Sequence, residues 1–266
     1  MGRRPIQGCG MQKIKKLINW KTFFILFVVC AITSVMVIPY QAALSPDLAE
    51  MGFILYVNAF IQGLVIFSIV TFLGLLLTRK NGFKLPVLEG ENKWGAFKPI
   101  LLPSVSLGAL SGVLIVLFDL LFQAFRVIPV TLYNNEYHAP VWAAFMASFY
   151  GGIAEEVLMR LFVMSLFVWL VTKIKKTENG LPTDWGVWSA IVAASILFGL
   201  GHLPFTGTLM EITAMVVVRA IVLNGIGGVV FGVLFWKKGL ESAIVAHFSA
   251  DIVLHIITPA VVKALT

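Results

Sequence analysis

The sequence Gly151-Gly152-Ile153-Ala154-Glu155-Glu156-Val157-Leu158-Met159-Arg160 lies inside a long apolar segment that runs from Val141 to Val171. An ionised side chain at the centre of a bilayer costs about 2.5–3.5 kcal/mol on insertion scales, so such residues are rare in transmembrane helices and mark functional sites. Glu155, Glu156 and Arg160 place three of them close together. This run therefore predicts a membrane-crossing helix that carries a site for catalysis or transport.

The composition of the whole chain is that of a membrane protein. Apolar residues make up 59% and charged residues only 12% of the 266 residues, and the mean hydropathy is +0.94. These values lie outside the range of soluble domains. Several segments are apolar and long enough to cross about 30 Å of hydrocarbon as helices: Thr22–Ile38, Phe53–Leu77, Ile100–Phe125, Val141–Val171, Trp185–His202, Ile212–Trp236 and Leu240–Ile257. The predicted fold is an all-α polytopic bundle of about seven transmembrane helices.

Basic residues are divided unevenly between the loops. They are concentrated before the first segment and after the second, fourth and sixth, whereas the alternate loops hold only Arg126 and the C-terminus only Lys263. Lys and Arg accumulate on the cytoplasmic side of membranes. We therefore expect a multi-pass protein of the cell membrane with a cytosolic N-terminus and an external C-terminus. The net charge of +7 is then explained by topology and by anionic lipid rather than by nucleic acid.

No boundary between folded domains is visible along the chain. The longest polar connection, Arg79 to Phe97, fits either a loop with one short surface helix or an irregular loop. We expect a basic cytosolic segment over residues 1–20 and a single transmembrane domain over residues 21–266. Residues 1–10 lack periodicity and are interpreted as a disordered or vector-derived extension. Cys9 and Cys30, the two cysteines, imply no disulfide framework.

Residues spaced four apart share one face of a helix. Glu156 and Arg160 share such a face, whereas Glu155 is turned about 100° away. Arg160 can then keep Glu156 ionised while Glu155 is left free for chemistry. The alternative is a structural ion pair that joins two helices. Gly151 and Gly152, one turn earlier, would let another helix or a substrate backbone approach closely.

Two further segments carry polar residues at the same spacing. Phe198 and His202 share a face at the end of the fifth segment, and His247 and Asp251 share a face of the seventh. Alone, the first pattern also fits an interfacial histidine, and the second also fits a hydrogen-bonded helix contact. Carboxylates, an arginine and histidines on three helices of one small bundle together favour a catalytic site.

These three motifs together resemble the CPBP intramembrane endopeptidases, which include CAAX prenyl-protein endopeptidases and bacterial bacteriocin-processing or self-immunity proteins. The motifs occur in the family's order: Glu-Glu-x-x-x-Arg at Glu155, Glu156 and Arg160; Phe-x-x-x-His at Phe198 and His202; His-x-x-x-Asn/Asp at His247 and Asp251. The motif-bearing core covers residues 141–257. The earlier segments resemble the family only in being hydrophobic.

The resemblance implies hydrolysis of a peptide bond at the membrane, with a peptide or protein substrate and the lipid bilayer as partners. Glu155 and His202 would activate a water molecule for attack on the scissile carbonyl. His247 and Asp251 would face the developing oxyanion or help to fix the site. In the supporting roles, Glu156 and Arg160 would orient Glu155 and Phe198 would pack the fifth helix.

A zinc-dependent form of the same hydrolysis is also chemically possible. Its candidate ligands are the four catalytic residues Glu155, His202, His247 and Asp251. The sequence does not identify a cofactor. Asp251 stands where CAAX endopeptidases have an asparagine, and an ionised aspartate can only accept hydrogen bonds, so we expect it to orient His247. His202 is near the outer end of its segment and can reach Glu155 only if the fifth helix protrudes, tilts or breaks.

Two functions other than proteolysis also fit the sequence. Buried Asp, Glu, Arg and His also line ion pathways, so Asp119 and Arg219 could form a relay in a proton-coupled transporter, or else a structural pair. A non-enzymatic bacteriocin-immunity protein could keep the fold without the reaction. The chain lacks the motifs of site-2, presenilin-like and rhomboid proteases. The sequence leaves the oligomeric state open.

Overall fold

A computed structural model of the protein describes residues 18–127 and 139–265. Seven helical spans are long and apolar enough to cross a membrane, and they match the seven predicted segments. They are span 1 (Trp20–Leu44), span 2 (Phe53–Lys80), span 3 (Lys93–Ala124), span 4 (Val141–Ile174), span 5 (Asp184–Thr206), span 6 (Ala214–Lys238) and span 7 (Leu240–Leu265). The described ranges contain no β-strand. The prediction of an all-α polytopic membrane bundle is therefore confirmed.

The proposed extension over residues 1–10, the cysteine at position 9 and most of the basic N-terminal segment lie outside the described residues. Where the structure does describe span starts, hydroxyl or amide side chains cap several of them. Asn92 Oδ1 accepts a hydrogen bond from Gly95 N at 2.8 Å, and Thr183 Oγ1 accepts one from Gly186 N at 3.2 Å. Such N-caps satisfy backbone donors that the first turn of a helix leaves unpaired.

Spans 2, 3 and 6 are uninterrupted α-helices, whereas the other four spans change geometry along their length. Span 1 joins the helices Trp20–Met36 and Ile38–Leu44, and span 5 joins Asp184–Gly201 and Leu203–Thr206. Pro39 and Pro204 lie in the first turn after each break, where a proline costs no hydrogen bond. A break, one of the three alternatives that the sequence left open for the fifth helix, is present at His202.

Span 4 is helical throughout but largely not α-helical. The α-helices Val141–Phe149 and Ser165–Ile174 enclose two π-helical segments, Tyr150–Glu155 and Val157–Met164. In a π-helix the hydrogen bonds join residues five apart, and the turns are wider than in an α-helix. Span 7 contains a third such segment, Val253–Ile257, between the α-helices Leu240–Ile252 and Thr258–Leu265.

The connection between spans 2 and 3 contains one short helix, Pro86–Glu89, and is fixed to the bundle. Glu241 Oε1 accepts hydrogen bonds from the backbone N–H of Val87 at 2.9 Å and of Leu88 at 2.7 Å. Arg79 pairs with Glu89 at 2.7 Å. The connection therefore packs against the start of span 7. A second short helix, Pro46–Glu50, connects spans 1 and 2.

Most of the exposed lysines in the described residues lie at one end of the bundle, which we call the lysine-rich end. These lysines are Lys21, Lys80, Lys84, Lys93, Lys98, Lys173, Lys175, Lys176, Lys237 and Lys238. The largest cluster of buried apolar side chains includes Leu75, Leu161, Met164, Phe235 and Leu240, all of which lie near this end. At the other end, which we call the far end, Phe53 and Ile54 at the start of span 2 are exposed. The half of the bundle next to the lysines therefore contains a continuous buried apolar core.

Candidate active site

Glu156 forms the centre of a buried polar cluster between spans 4 and 7. Its Oε2 lies 3.2 Å from Arg160 Nε, and its Oε1 lies 2.9 Å from His247 Nδ1. The Glu156 and Arg160 side chains are almost completely inaccessible to solvent. Because a carboxylate only accepts, the His247 Nδ1–H donates this bond, and the second ring nitrogen, Nε2, points elsewhere. The sequence had suggested Asp251 as the residue that orients His247, but the direct hydrogen bond is made by Glu156.

Glu155 and Asp251 lie on the other side of the His247 ring. His247 Nε2 is 3.8 Å from Glu155 Oε2 and 3.7 Å from Asp251 Oδ1. Both separations are too long for a direct hydrogen bond but are within reach through one water molecule. The structure therefore brings two carboxylates and the free nitrogen of His247 around one small space.

Small residues on span 4 permit this approach. A Cβ atom on Gly151 would collide with the Asp251 carboxylate and lie 3.3 Å from His247 Nε2, and one on Gly152 would lie 3.0 Å from the Cβ of Phe248. Real Cβ contacts at such separations are rare. The two glycines therefore let span 7 lie against span 4 at the depth of Glu155, as the sequence predicted for a closely approaching helix.

Two phenylalanine rings hold the His247 ring and the Arg160 guanidinium. Phe231 stacks on His247 with 4.6 Å between centroids and 21° between planes, and Phe198 meets His247 edge-on at 5.6 Å. Arg160 Cζ lies 5.3 Å from the Phe198 ring and 5.7 Å from the Phe231 ring. Within the described residues Arg160 Nη1 and Nη2 have no hydrogen-bond partner, so cation–π contacts with the rings compensate part of the cost of burying the charge.

Phe231 was not found by sequence reasoning. It lies in span 6, an apolar helix without a charged neighbour at motif spacing, and the chain contains 21 phenylalanines. In a membrane protein an apolar helix gives no contrast between a core face and a lipid face. The one local signal is the run of small residues around it, Gly227, Gly228 and Gly232, which allows close helix packing.

His202 is held at the end of the main helix of span 5. Its Nδ1 lies 2.8 Å from the Phe198 carbonyl oxygen, and its ring meets the Phe198 ring edge-on at 4.8 Å. Because a carbonyl only accepts, Nδ1 carries a proton and Nε2 is the nitrogen that can accept one. In the described structure His202 makes no direct ion pair with Glu155. Phe198 connects the two parts of the site, since its ring touches both His202 and His247.

A second histidine and a tyrosine extend the cluster along span 7. His255 Nε2 is 4.0 Å from Asp251 Oδ1, and Tyr40 Oη is 3.0 Å from His255 Nδ1. His255 continues the stripe formed by His247 and Asp251, but Tyr40 comes from span 1 and was not indicated by any motif. It is placed there because span 1 breaks after Met36 and continues from Ile38.

A metal ion needs several ligand side chains that converge on one point. Among the described residues, no group of three or more His, Cys, Asp or Glu side chains has the geometry to hold one. His247 Nδ1 is already used by Glu156. The described side chains as arranged do not form the zinc site that the sequence left open as an alternative.

Comparison with known proteins agrees with the motifs. A family model described as type II CAAX prenyl endopeptidase Rce1-like matches residues 137–253, a segment that contains all seven motif residues. No curated protein and no solved structure matches the chain closely enough to count as similar. The resemblance to CPBP and CAAX endopeptidases is confirmed over this segment. Residues 137–253 of this multi-pass membrane protein are thus similar to the Rce1-like family of type II CAAX prenyl endopeptidases.

Proposed function

We propose that this protein is an intramembrane endopeptidase that hydrolyses a peptide bond with a water molecule activated by Glu155 and His202. The family match supports a membrane protease of the CAAX type in general. The observation that carries the finer proposal is the difference between the two neighbouring glutamates. Both Glu156 oxygens are engaged by Arg160 and His247, whereas Glu155 is partly exposed and faces His247 Nε2 at 3.8 Å.

Glu155 is the general base in this proposal. It takes a proton from a water molecule held between it, His247 and Asp251, and the water oxygen attacks the scissile carbonyl carbon. The carbonyl oxygen becomes an oxyanion. When the C–N bond breaks, the proton is passed to the leaving amine, with His202 Nε2 as the second group able to accept and return a proton. Atoms balance as one water consumed and one peptide bond cleaved.

His247 is the proposed oxyanion donor. Its Nδ1–H is held by Glu156, which fixes the ring with Nε2 directed at the space beside Glu155 and Asp251. When protonated, Nε2 donates to the oxyanion, so the site does not require a donor at the position of Asp251, where CAAX endopeptidases have asparagine. Asp251 then helps to hold the water molecule. Preorganised donors of this kind contribute several kcal/mol to transition-state stabilisation.

The transporter alternative has less support. Asp119 and Arg219 pair directly at 2.7 Å between spans 3 and 6, with Gln123 Nε2 donating to Asp119 at 3.2 Å. This geometry is that of an interhelical contact between spans 3 and 6. The bacteriocin-immunity alternative has no structural observation in its favour beyond the shared fold.

Glu155→Gln tests the proposal, because it removes the base and nearly keeps the shape. Membranes carrying the wild type, Glu155→Gln or Glu50→Gln are incubated with a broad peptide pool, and new chain termini are identified by mass spectrometry. Glu50 is an exposed carboxylate in the connection between spans 1 and 2 and serves as the matched control. We expect products with the wild type and Glu50→Gln but not with Glu155→Gln.

Equal product sets from wild type and Glu155→Gln, with both folded, would contradict the proposed role of Glu155. Loss of wild-type products on addition of a chelator, followed by recovery with Zn²⁺, would favour the zinc-dependent form instead. Proton flux through vesicles in the absence of any cleavage would favour the transporter.

A further inference from the structure

Exposure of the polar cluster rises steadily along span 7. The accessible fraction of the side chain is 7% for His247, 11% for Asp251 and 35% for His255. These residues lie on successive turns that lead from Leu240, at the lysine-rich end, toward the far end. The same order holds on span 4, which runs in the opposite direction: Glu155 is 20% exposed, and Glu156, the next residue toward the lysine-rich end, is 0% exposed.

Beyond Glu156 the lysine-rich half of the bundle is closed. Buried apolar side chains from spans 4, 6 and 7 fill the space between the cluster and that end, namely Leu161, Met164, Phe235, Leu240 and Ala243. The connection Pro86–Glu89 covers the start of span 7 through its two hydrogen bonds to Glu241. These buried side chains and this connection lie between Glu155 and the lysine-rich end.

Charge distinguishes the two ends of the bundle. The lysines named above cluster at one end, whereas the exposed charged residues in the described connections and terminus at the far end are Asp47, Glu50, Arg126, Glu211 and Lys263. Short loops that carry Lys and Arg stay in the cytosol during membrane insertion. The closed end is then the cytosolic end.

We propose that the active site is reached from the extracytoplasmic side of the membrane, through an opening beside His255 and Tyr40. This inference rests on the proposed function for its substrate. The substrate class is then a peptide segment that is exported or held in the outer leaflet, and not the C-terminal tail of a cytosolic protein. Tyr40 and His255, hydrogen-bonded at 3.0 Å, are the first polar groups that such a segment would meet.

Cysteine labelling from each membrane face tests this inference without requiring any cleavage. In a background with Cys9→Ser, the remaining Cys30 is fully buried, so this parent variant is the negative control for maleimide labelling. His255→Cys and Tyr40→Cys, on two different spans, report on the opening. Lys84→Cys and Thr208→Cys are matched controls, exposed in connections at the lysine-rich and far ends respectively. Each variant is treated with a membrane-impermeant maleimide in right-side-out and in inside-out vesicles.

The expected result is labelling of His255→Cys or Tyr40→Cys together with Thr208→Cys in right-side-out vesicles, and loss of that labelling in inside-out vesicles. Lys84→Cys should show the opposite pattern. Labelling of both reporters from the Lys84 side, or from neither side while both controls react, would overturn the proposal. Reaction of Lys84→Cys in right-side-out vesicles would overturn the assigned orientation.

The two proposals can fail separately. Peptide cleavage by detergent-solubilised protein, in which both ends of the bundle are open to water, reports on the reaction alone. Cleavage in detergent together with labelling from the Lys84 side would refute the outer opening and leave the endopeptidase intact. Absence of Glu155-dependent cleavage together with labelling from the Thr208 side would refute the endopeptidase and leave the outer opening intact.

Discussion

Glu155 and Glu156 are adjacent in the chain but lie in opposite surroundings. Glu156 is completely buried, and each of its oxygens faces a cationic or donating partner, Arg160 or His247. Burying a carboxylate costs several kcal/mol unless it is paired in this way, so Glu156 is committed to structure and to the orientation of His247. Glu155 keeps contact with solvent and has no direct hydrogen bond to His247. This difference supports the division into a supporting carboxylate and a proposed base.

Phe231→Leu is expected to lower kcat/KM by about tenfold, with little change in KM. The substitution keeps an apolar side chain but removes the ring that stacks on His247 and lies beside Arg160. Aromatic stacking and cation–π contacts are each worth about 0.5–2 kcal/mol, and about 1.4 kcal/mol is a factor of ten in rate. The measurement uses a peptide identified as a product in the membrane experiment.

Phe235→Leu is the matched control for Phe231→Leu. Phe235 lies one turn further along span 6, is fully buried and packs on Phe83 at 5.2 Å, away from the His247 ring. Both variants should lose similar thermal stability, since the same atoms leave a buried site. If Phe235→Leu lowers kcat as much as Phe231→Leu, the effect of Phe231 is one of general packing and not of His247 orientation.

The π-helical segments of span 4 decide how its polar residues are arranged. Tyr150–Glu155 and Val157–Met164 lie on either side of Glu156, and Ser165 Oγ donates to Arg160 O, five residues earlier, at 3.2 Å. The wider turns change the direction in which each side chain leaves the helix, so angles counted from α-helical periodicity are only approximate here, although Glu156 and Arg160 still share one face. Such segments are frequently found at functional sites, and this one contains the motif Glu155, Glu156 and Arg160.

Gly151→Ala is expected to abolish activity and to lower the melting temperature in detergent. The added Cβ would collide with the Asp251 carboxylate and crowd His247 Nε2, so span 7 must move away from span 4. Overpacking of this kind costs about 1–3 kcal/mol. Circular dichroism during heating and cleavage of the identified peptide are the two measurements.

Gly225→Ala, in span 6, makes the same chemical change where no atom lies within 4 Å of the new Cβ. Replacing a glycine by alanine in a helix is favourable by about 0.5–1 kcal/mol when space is free, so this variant should be as stable as the wild type or more stable. An active, stable Gly151→Ala protein would show that the spans are not held as closely as described.

At the scale of the whole molecule, the bundle has a closed half and an open half. Polar anchors join the elements of the closed half: Asn81 Nδ2 donates to the Ser165 carbonyl at 2.7 Å, and Thr78 Oγ1 donates to the Leu161 carbonyl at 3.2 Å. Between apolar helices in lipid, hydrogen bonds and close packing replace the hydrophobic effect as the source of association. These anchors hold spans 2 and 4 together on the lysine-rich side of the candidate site.

Glu241→Ala is expected to lower the free energy of unfolding by about 1–3 kcal/mol. The change removes the acceptor of the Val87 and Leu88 N–H groups and detaches the connection Pro86–Glu89 from span 7. Thermal unfolding in detergent measures the effect. Glu178→Ala, at an exposed carboxylate between spans 4 and 5, should leave the melting temperature unchanged, and a similar loss in both variants would contradict the anchoring role.

Hydrophobicity along the chain was sufficient to predict the seven spans, because the cost of placing unpaired polar backbone and charge in lipid is local to each segment. The same cost made Glu155, Glu156, Arg160, His247 and Asp251 stand out, and the order of their motifs was sufficient for the family. The ends of the spans were less well predicted: span 3 begins at Lys93 and span 1 continues to Leu44. Helices protrude past the apolar core, so hydropathy alone does not mark where they end.

Sequence by itself determined the membrane class, the number of spans and the residues that carry the motifs, since these follow from the composition and spacing of each segment. Only the tertiary structure decided that Glu156 rather than Asp251 holds His247, that Phe231 and Tyr40 join the cluster, and that the cluster is exposed toward the far end. Those features depend on the wider π-helical turns and on which faces of different spans meet. The spacing of residues within one segment predicts neither the π-helical turns nor the faces that meet. In lipid, the core-facing and lipid-facing sides of a helix are both apolar.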